Sequence, residues 1–194
     1  MKRVVLFMML ALGPALLTGL IGCGDGCRGS SYRIDTYQLD LFRNEKTRPD
    51  QSTVSRVSAN DTIPYQKLEL QLLAKPIFVS QVTAGGSSLM ACDPVNSPLD
   101  KLKAMTITSD QPYSAGLPAG TNLAPFIHIF PYDGAYTQSV TNYLATAARF
   151  ANDRIILQLQ VAPDQIVRHR FTITVELDNG RQLTSVSAPV FVIP

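Results

Sequence analysis

The C-terminal part of the chain alternates apolar and polar side chains with a period of two, and this feature constrains the fold most strongly. Ile155–Val161 and His169–Leu177 each form such a run, and Leu183–Ile193 forms the return run. Asp178-Asn179-Gly180 separates the last two runs, and Asn and Gly accept the positive φ angles that a tight hairpin turn needs. Because a two-residue period places every second side chain on one face of a sheet, the pattern predicts antiparallel strands. Pro189 within the return run predicts a bulge or an edge position.

Two shorter alternating runs, residues 37–42 and 67–72, precede this region. In the second run the leucines are expected to face the core, whereas Glu69 and Gln71 are expected on a face exposed to water. The polar residues 44–62 between the two runs predict a loop or a poorly paired edge.

One stretch changes to a helical period. Its apolar residues that fit one helix face are Val140, Tyr143, Leu144, Ala147 and Phe150. Thr137 or Ser139 would cap this helix, although alternation around Asn142 leaves a strand open. Short strands separated by turns, with at most one helix, predict a mainly β fold: an antiparallel β-sandwich (immunoglobulin-like) with one short helix.

The N-terminus has the outline of a secretory signal. Lys2 and Arg3 precede the apolar segment Val4–Ile21, and small residues follow it. A membrane-spanning helix is the weaker interpretation, because Gly13-Pro14 interrupts the segment near its middle.

Leu20-Ile21-Gly22-Cys23 resembles the lipobox of bacterial lipoproteins, in which a signal peptidase cuts before a cysteine that carries diacylglycerol and an N-acyl chain. The resemblance implies lipidation at Cys23, and several acyl chains would make the membrane attachment effectively permanent. With the strand pattern, the chain is expected to divide into a signal peptide (residues 1–22), a lipidated tether (23–31) and a β-sandwich domain (32–194). Gly24 stands where lipoproteins retained at the inner membrane usually carry Asp, so an outer-membrane address is expected, facing either the periplasm or the cell surface.

The charge balance argues against nucleic acid as a partner. The chain has 17 Lys and Arg against 15 Asp and Glu, and Lys2 and Arg3 would leave with the signal. The mature protein would be formally neutral, without the large basic field that nucleic acids require.

Two cysteines remain after lipidation of Cys23. In an oxidising compartment Cys27 and Cys92 are a candidate disulfide pair, which would stabilise the fold by about 4 kcal/mol in the chain-entropy model. Two free thiols are the alternative.

No contiguous catalytic or metal-binding motif is present in the sequence. The nearest match to a hydrolase elbow, Gly85–Leu89, lacks its second flanking glycine. His128 and His169 are too far apart in sequence to form a zinc motif, and both are expected to pack in the sheet. No metal and no cofactor is therefore predicted. A hydrolase whose site is assembled from distant residues, with His128 or Asp133 in a cleft, remains the alternative.

The tyrosines of the turn-rich segments are the candidate ligand contacts. Tyr113, Tyr132 and Tyr136 lie where aromatic rings line glycan or peptide sites, although loop tyrosines also cover core edges. Asp61-Thr62-Ile63 resembles a short O-glycosylation acceptor pattern of some Gram-negative periplasms, with Thr62 as the acceptor.

Three further stretches carry a resemblance that covers most of the mature chain. Cys92, Met105–Ser109 and Pro118–Leu123, together with the terminal hairpin, resemble uncharacterised lipoprotein families of Gram-negative bacteria with a domain of unknown function. Such families imply an extracytoplasmic, largely β domain and supply no catalytic residue. The sequence thus predicts a non-enzymatic, lipid-anchored envelope protein: a recognition module, or an accessory subunit with an envelope protein or a glycan as partner. The alternatives are the hydrolase and a purely structural lipoprotein.

Overall fold

The computed structural model describes residues 31–48, 51–80, 97–130, 137–145, 149–150 and 154–194. The chain separates into two units. One comprises Tyr32–Phe78 and Pro98–Pro194, and it contains the buried core. The other comprises Met1–Ser31 and Val79–Ser97, of which only Ser31, Val79, Ser80 and Ser97 are described.

The described residues are mainly in strands. In chain order these are β1 (Ser31–Arg48), β2 (Gln51–Arg56), β3 (Thr62–Pro64), β4 (Leu68–Ser80), β5 (Ser97–Pro98), β6 (Lys101–Ser109), β7 (Ile127–Phe130), β8 (Gln138–Ser139), β9 (Arg149–Phe150), β10 (Arg154–Leu159), β11 (Val167–His169), β12 (Phe171–Leu177), β13 (Gln182–Val186) and β14 (Val190–Ile193). Two short 3₁₀ turns, Tyr65–Lys67 and Ala124–Phe126, precede β4 and β7.

The one α-helix of the described residues, α1, runs from Val140 to Ala145. The backbone N–H of Asn142 donates to Ser139 Oγ over 3.2 Å, so Ser139 is the cap. The prediction that the helical face continues to Phe150 was wrong, because Phe150 belongs to β9.

Three sheets make up the β structure of the described ranges. The largest has the order β2-β1-β4-β10-β7-β8, with β5 pairing β1; the others have the orders β13-β12-β6-β9 and β11-β14-β3. Antiparallel pairs are β1 with β2, β10 with β4 and β7, β12 with β13 and β6, β11 with β14, β6 with β9, and β7 with β8, whereas β14 pairs parallel with β3. The prediction of a mainly β, sandwich-like antiparallel fold with one short helix is confirmed, and the immunoglobulin-like connectivity stays a prediction.

The C-terminal hairpin passes from one sheet into another. Thr172 pairs with Val186 in the four-stranded sheet, and His169 pairs with Val190 in the three-stranded sheet. The return strand carries one more residue between these pairs than the outgoing strand, as a bulge requires. Pro189 lies at this break, where its missing N–H costs no ladder bond.

The apolar side of the alternation forms the core. Leu68, Leu70 and Leu72 of β4 are fully buried, as are the inward residues of β12, Phe171, Ile173, Val175 and Leu177. The opposite face of β4 was predicted incorrectly: Glu69 and Gln71 are only 7% and 5% exposed. The reason is that β4 is an interior strand, flanked by β1 and β10, and the side chain of Asn44 on β1 reaches Glu69.

The polar region 44–62 was predicted as a loop or a poorly paired edge, and the structure shows the edge. β1 continues to Arg48 and pairs with β2, which lies at the margin of the large sheet. Thr62 is in β3 and not in a loop, and its side chain is exposed.

Three side chains satisfy backbone groups of β1 from outside its own sheet. Asp100 Oδ2 accepts the N–H of Ile34 over 2.8 Å. Arg181 donates to the carbonyls of Ile34 and Asp35 over 3.0 and 3.2 Å. Ser185 Oγ donates to the carbonyl of Tyr37. Asp100 Oδ1 also accepts from Asn179 Nδ2, so the carboxylate joins β1 to the hairpin turn between β12 and β13.

No helix within these described ranges is long and apolar enough to cross a lipid bilayer.

Substitution of Asp100 tests this connection. Asp100→Ala leaves the N–H of Ile34, a fully buried residue, without an acceptor, so we expect the free energy of unfolding to fall by about 1–3 kcal/mol. Denaturant unfolding followed by circular dichroism measures the change. The matched control is Asp35→Ala, an exposed carboxylate on the same strand, for which a change within about 0.5 kcal/mol is expected. Equal effects of the two substitutions would contradict the proposed connection.

Candidate functional site

A serine and a histidine meet inside the domain. Ser109 ends β6 and His169 ends β11, and Ser109 Oγ lies 2.9 Å from His169 Nδ1. Ser109 Oγ also accepts the backbone N–H of Gln111. Phe171 stacks on the imidazole with ring centroids 5.9 Å apart, and the Tyr113 ring lies tilted at 5.4 Å.

The hydrogen bond is the only feature that this pair shares with a catalytic nucleophile and its base. His169 is fully buried and Ser109 is nearly so, and catalysis would require a substrate within reach of the serine oxygen. His169 Nε2, the atom opposite the bond, has no partner in the described part of the chain. Burial lowers the pKa of His169, and the carboxylate of Asp110 opposes that shift, so the neutral form is favoured inside the core. The pair is therefore a core element, as predicted for His169.

The exposed side of the large sheet carries a polar cleft at one end. Its volume is about 190 Å³, and it is lined by Asn44, Glu45, Gln66, Lys67 and Gln158. Three chain segments supply these residues: β1, the 3₁₀ turn before β4, and β10. The strand register aligns them, because Gln158 pairs directly with Glu69 on the neighbouring strand.

A carboxylate is buried beside this cleft. Glu69 Oε1 accepts from Asn44 Nδ2 over 2.5 Å, and Glu69 Oε2 accepts from Gln71 Nε2 over 3.1 Å. These two amides replace part of the hydration that the carboxylate loses on burial. The amide of Asn44 is thereby oriented, since its NH₂ group must point at Glu69, and its Oδ1 is a buried acceptor without a partner among the described residues.

The remaining lining groups are fixed by bonds across the cleft wall. Lys67 Nζ lies 2.6 Å from Glu45 Oε2, which pairs the charge of the lysine. Gln158 Nε2 donates to the carbonyl of Gln66 over 2.6 Å. The cleft thus presents fixed amide and carboxylate groups. Such a set suits hydrogen bonding to hydroxyl groups.

The polar row continues beyond the cleft to His128. Gln158 pairs with His128, which in turn pairs with Ser139, so all three share one sheet face. His128 is half-buried, as a packed sheet residue was expected to be. Phe126 lies in the 3₁₀ turn that precedes β7.

Tyr113, the one predicted ligand contact among the described residues, does not line this cleft. Tyr113 is buried, its hydroxyl donates to the carbonyl of Val161 over 2.9 Å, and burial raises its pKa. Its ring therefore covers the edge of the core beside His169. Other predicted positions lie outside the described residues; these are Cys23, Cys27, Cys92, Asp133, Tyr132, Tyr136 and the segment 85–89.

Sequence reasoning missed the cleft for a physical reason. Asn44 and Glu45 belong to the region predicted as a loop or a poorly paired edge, and Glu69 was predicted on a face exposed to water. The sequence does contain one signal for the cleft: if the two alternating runs paired, their polar residues would lie on one face of the sheet. Nothing in the alternation itself shows which strand becomes interior.

Comparison with protein-family models, with curated proteins and with solved structures finds no match for this chain. No group of three or more His, Cys, Asp or Glu side chains in the described ranges is arranged to hold a metal ion.

The buried imidazole predicts a pH dependence of stability. The pKa of His169 is lowered in the folded state. As the pH falls through about 6.5, the unfolded chain therefore binds more protons than the folded chain. We expect the free energy of unfolding to fall between pH 7.5 and 5 with a His169 contribution of at most about 1.4 kcal/mol per pH unit. Denaturant titrations of the wild type and of His169→Asn across this range measure that contribution as their difference.

The matched variant His128→Asn retains His169 and should keep the dependence. A His169→Asn protein that loses stability with acid as steeply as the wild type would contradict this assignment.

Proposed function

We propose that this chain is a lipid-anchored, non-catalytic recognition module of the bacterial cell envelope, held in the outer membrane through Cys23. The observation that carries the proposal is the polar cleft, whose amide and carboxylate groups are fixed by bonds to one another. The Ser109–His169 pair supports a non-catalytic role, because both side chains are enclosed by the core. The lipobox resemblance and the neutral mature chain support the location in the cell envelope.

The length of β1 supports an anchor at one end of the domain and a ligand site at the other. Tyr32, at the start of the compact unit, packs against Phe78, and Asn44, twelve residues further along β1, bonds to Glu69. At about 3.3 Å per residue, the cleft lies about 40 Å along the strand from the end at which the N-terminal segment joins. An anchor at one end would therefore leave the cleft accessible at the other.

The chemistry of the cleft favours a hydroxyl-rich ligand, and we assign an envelope glycan as its class. Carboxylate and amide oxygens accept hydrogen bonds from sugar hydroxyls, and amide nitrogens donate to ring and hydroxyl oxygens. The only charge pair of the cleft lining, Lys67 with Glu45, is already neutralised, so a strongly charged ligand would gain little there.

A glycan array of bacterial envelope oligosaccharides, probed with the full-length protein extracted in detergent, tests the ligand class. We expect binding by the wild type and about tenfold weaker affinity for Asn44→Ala and for Gln158→Ala, the equivalent of about 1.4 kcal/mol for one lost hydrogen bond. The matched control is Gln38→Ala, an exposed amide on β1 that contacts Asp40 outside the cleft.

Absence of any bound glycan, or equal binding by the cleft variants and the wild type, would contradict the ligand class. Recovery of one envelope protein at equal stoichiometry from a crosslinked cell extract would favour an accessory subunit instead.

Lipidation is tested separately at the cysteines. Cells grown with an alkyne-tagged fatty acid should label the wild type and Cys27→Ala, but not Cys23→Ala, because only Cys23 lies at the cleavage point of the lipobox. Intact mass of the N-terminal peptide gives the number of acyl chains. Labelling of Cys23→Ala at the wild-type level would contradict the anchor.

A further inference from the structure

Tyr113 belongs to a loop that covers the imidazole of His169. The loop follows β6 and runs from Asp110 to Ala119, and we call it the Tyr113 loop. Its two ends meet, because the backbone N–H of Gly120 donates to the carbonyl of Ser109 over 2.9 Å. A compact loop with adjacent ends can move while the elements on either side of it stay in place.

Few contacts hold the Tyr113 loop against the domain. Among its side chains only those of Tyr113 and Leu117 are buried. The Tyr113 hydroxyl donates to the carbonyl of Val161 over 2.9 Å, and the Tyr113 carbonyl accepts the N–H of Asp164 over 3.2 Å. The Asp164 carboxylate accepts the N–H of Ala115 over 2.5 Å. Because loop opening exposes two core side chains and global unfolding exposes the whole core, the loop opens at the lower free energy.

The imidazole beneath the loop is accommodated only in its uncharged form. His169 Nδ1 lies 2.9 Å from Ser109 Oγ, which also accepts the N–H of Gln111. Protonation makes both ring nitrogens donors. Nε2 is buried and has no acceptor among the described residues, so an imidazolium in this position would keep an unsatisfied donor and a buried charge. The charged ring is therefore stable only where water reaches it.

Only one of the two aromatic rings that contact the imidazole can be displaced locally. Phe171 is in β12, which pairs on both sides, with β13 and β6. Tyr113 is in the loop, and its ring centroid lies 5.4 Å from that of His169. Water therefore reaches His169 most directly when the Tyr113 loop moves away.

The charged groups around His169 do not provide a buried counter-ion. Burial lowers the pKa of His169, and the negative charge of Asp110 partly opposes this shift. Asp110 is itself exposed, and its Oδ1 accepts the N–H of Arg170 over 2.7 Å. Arg168 and Arg170 flank His169 along the chain, and both are exposed. The strands against the ring contribute uncharged residues, namely Ser109 of β6, Phe171 of β12 and Val190 of β14.

We propose that the Tyr113 loop is an acid-operated lid, which opens on protonation of His169 while the sheets remain folded. In the closed state the imidazole is neutral, and in the open state it meets water and takes up a proton from the solvent. The open state therefore gains population as the pH falls below about 6.5, the ordinary pKa of histidine, by at most about tenfold per pH unit. This device is independent of the proposed membrane attachment and of the polar cleft.

Hydrogen exchange followed by mass spectrometry tests the lid. Full-length protein in detergent is labelled at about pH 7.5, 6.5 and 5.5, with labelling times scaled for the intrinsic pH dependence of amide exchange. The reporters are the N–H groups of Tyr113 and Leu117, which are bonded within the loop, and the reference is the peptide that contains β12.

We expect the loop to exchange faster than β12 at every pH, and its protection to fall up to about tenfold from pH 6.5 to 5.5. A low concentration of urea should accelerate exchange in β12 and leave the loop unchanged, because local opening exposes little surface.

Matched variants identify the titrating group. His169→Asn should remove the acid dependence of loop exchange, and His128→Asn should retain it. Tyr113→Phe removes the bond to the Val161 carbonyl, so it should raise loop exchange about tenfold at every pH with an unchanged pH dependence. Because Tyr113→Phe keeps the imidazole in place, it tests the lid even if His169→Asn does not fold.

Three outcomes would overturn the proposal. The first is loop exchange at the same rate as β12 at every pH, which would mean that the loop opens only with global unfolding. The second is loop exchange that does not change with pH. The third is wild-type acid dependence in a folded His169→Asn protein, which would assign the effect to the carboxylates of Asp110 and Asp164.

Discussion

The fold depends on how the backbone of β1 is satisfied where side chains from other elements replace a neighbouring strand. Asp100, Arg181 and Ser185 supply hydrogen bonds to residues Ile34 to Tyr37, and each reaches β1 from outside the large sheet. Buried backbone groups without partners would cost about as much as lost hydrogen bonds, so these contacts are required and not incidental. They join the long first strand to the hairpin between β12 and β13.

Burial leaves two side-chain atoms without hydrogen-bond partners in the described part of the chain, His169 Nε2 and Asn44 Oδ1. His169 is enclosed by aromatic rings, so its unpaired nitrogen is a local cost of packing a histidine beside Ser109. The Asn44 oxygen is also buried, and its amide is oriented by the bond that its Nδ2 donates to Glu69. Both deficits are therefore costs of burying polar side chains.

The long strand β1 also orders the domain from end to end. Tyr32 packs against Phe78 near its beginning, and Asn44 and Glu45 line the polar cleft towards its other end. The proposed anchor and the proposed ligand site would therefore lie at opposite ends of this strand. Neither end requires the Ser109–His169 pair, which remains within the core.

The sequence by itself determined the strand-rich character, the hairpin at Asp178-Asn179-Gly180 and the buried leucines of β4, since local periodicity and turn chemistry act within a few residues. It also marked His169 as a core residue. Only the tertiary structure decided that β4 is interior, which buries Glu69 and Gln71, and that Asn44 and Gln158 meet across a cleft. Periodicity assigns each side chain to a face of its own strand, but burial and contact depend on which strands become neighbours, and that order is set by packing of the whole chain.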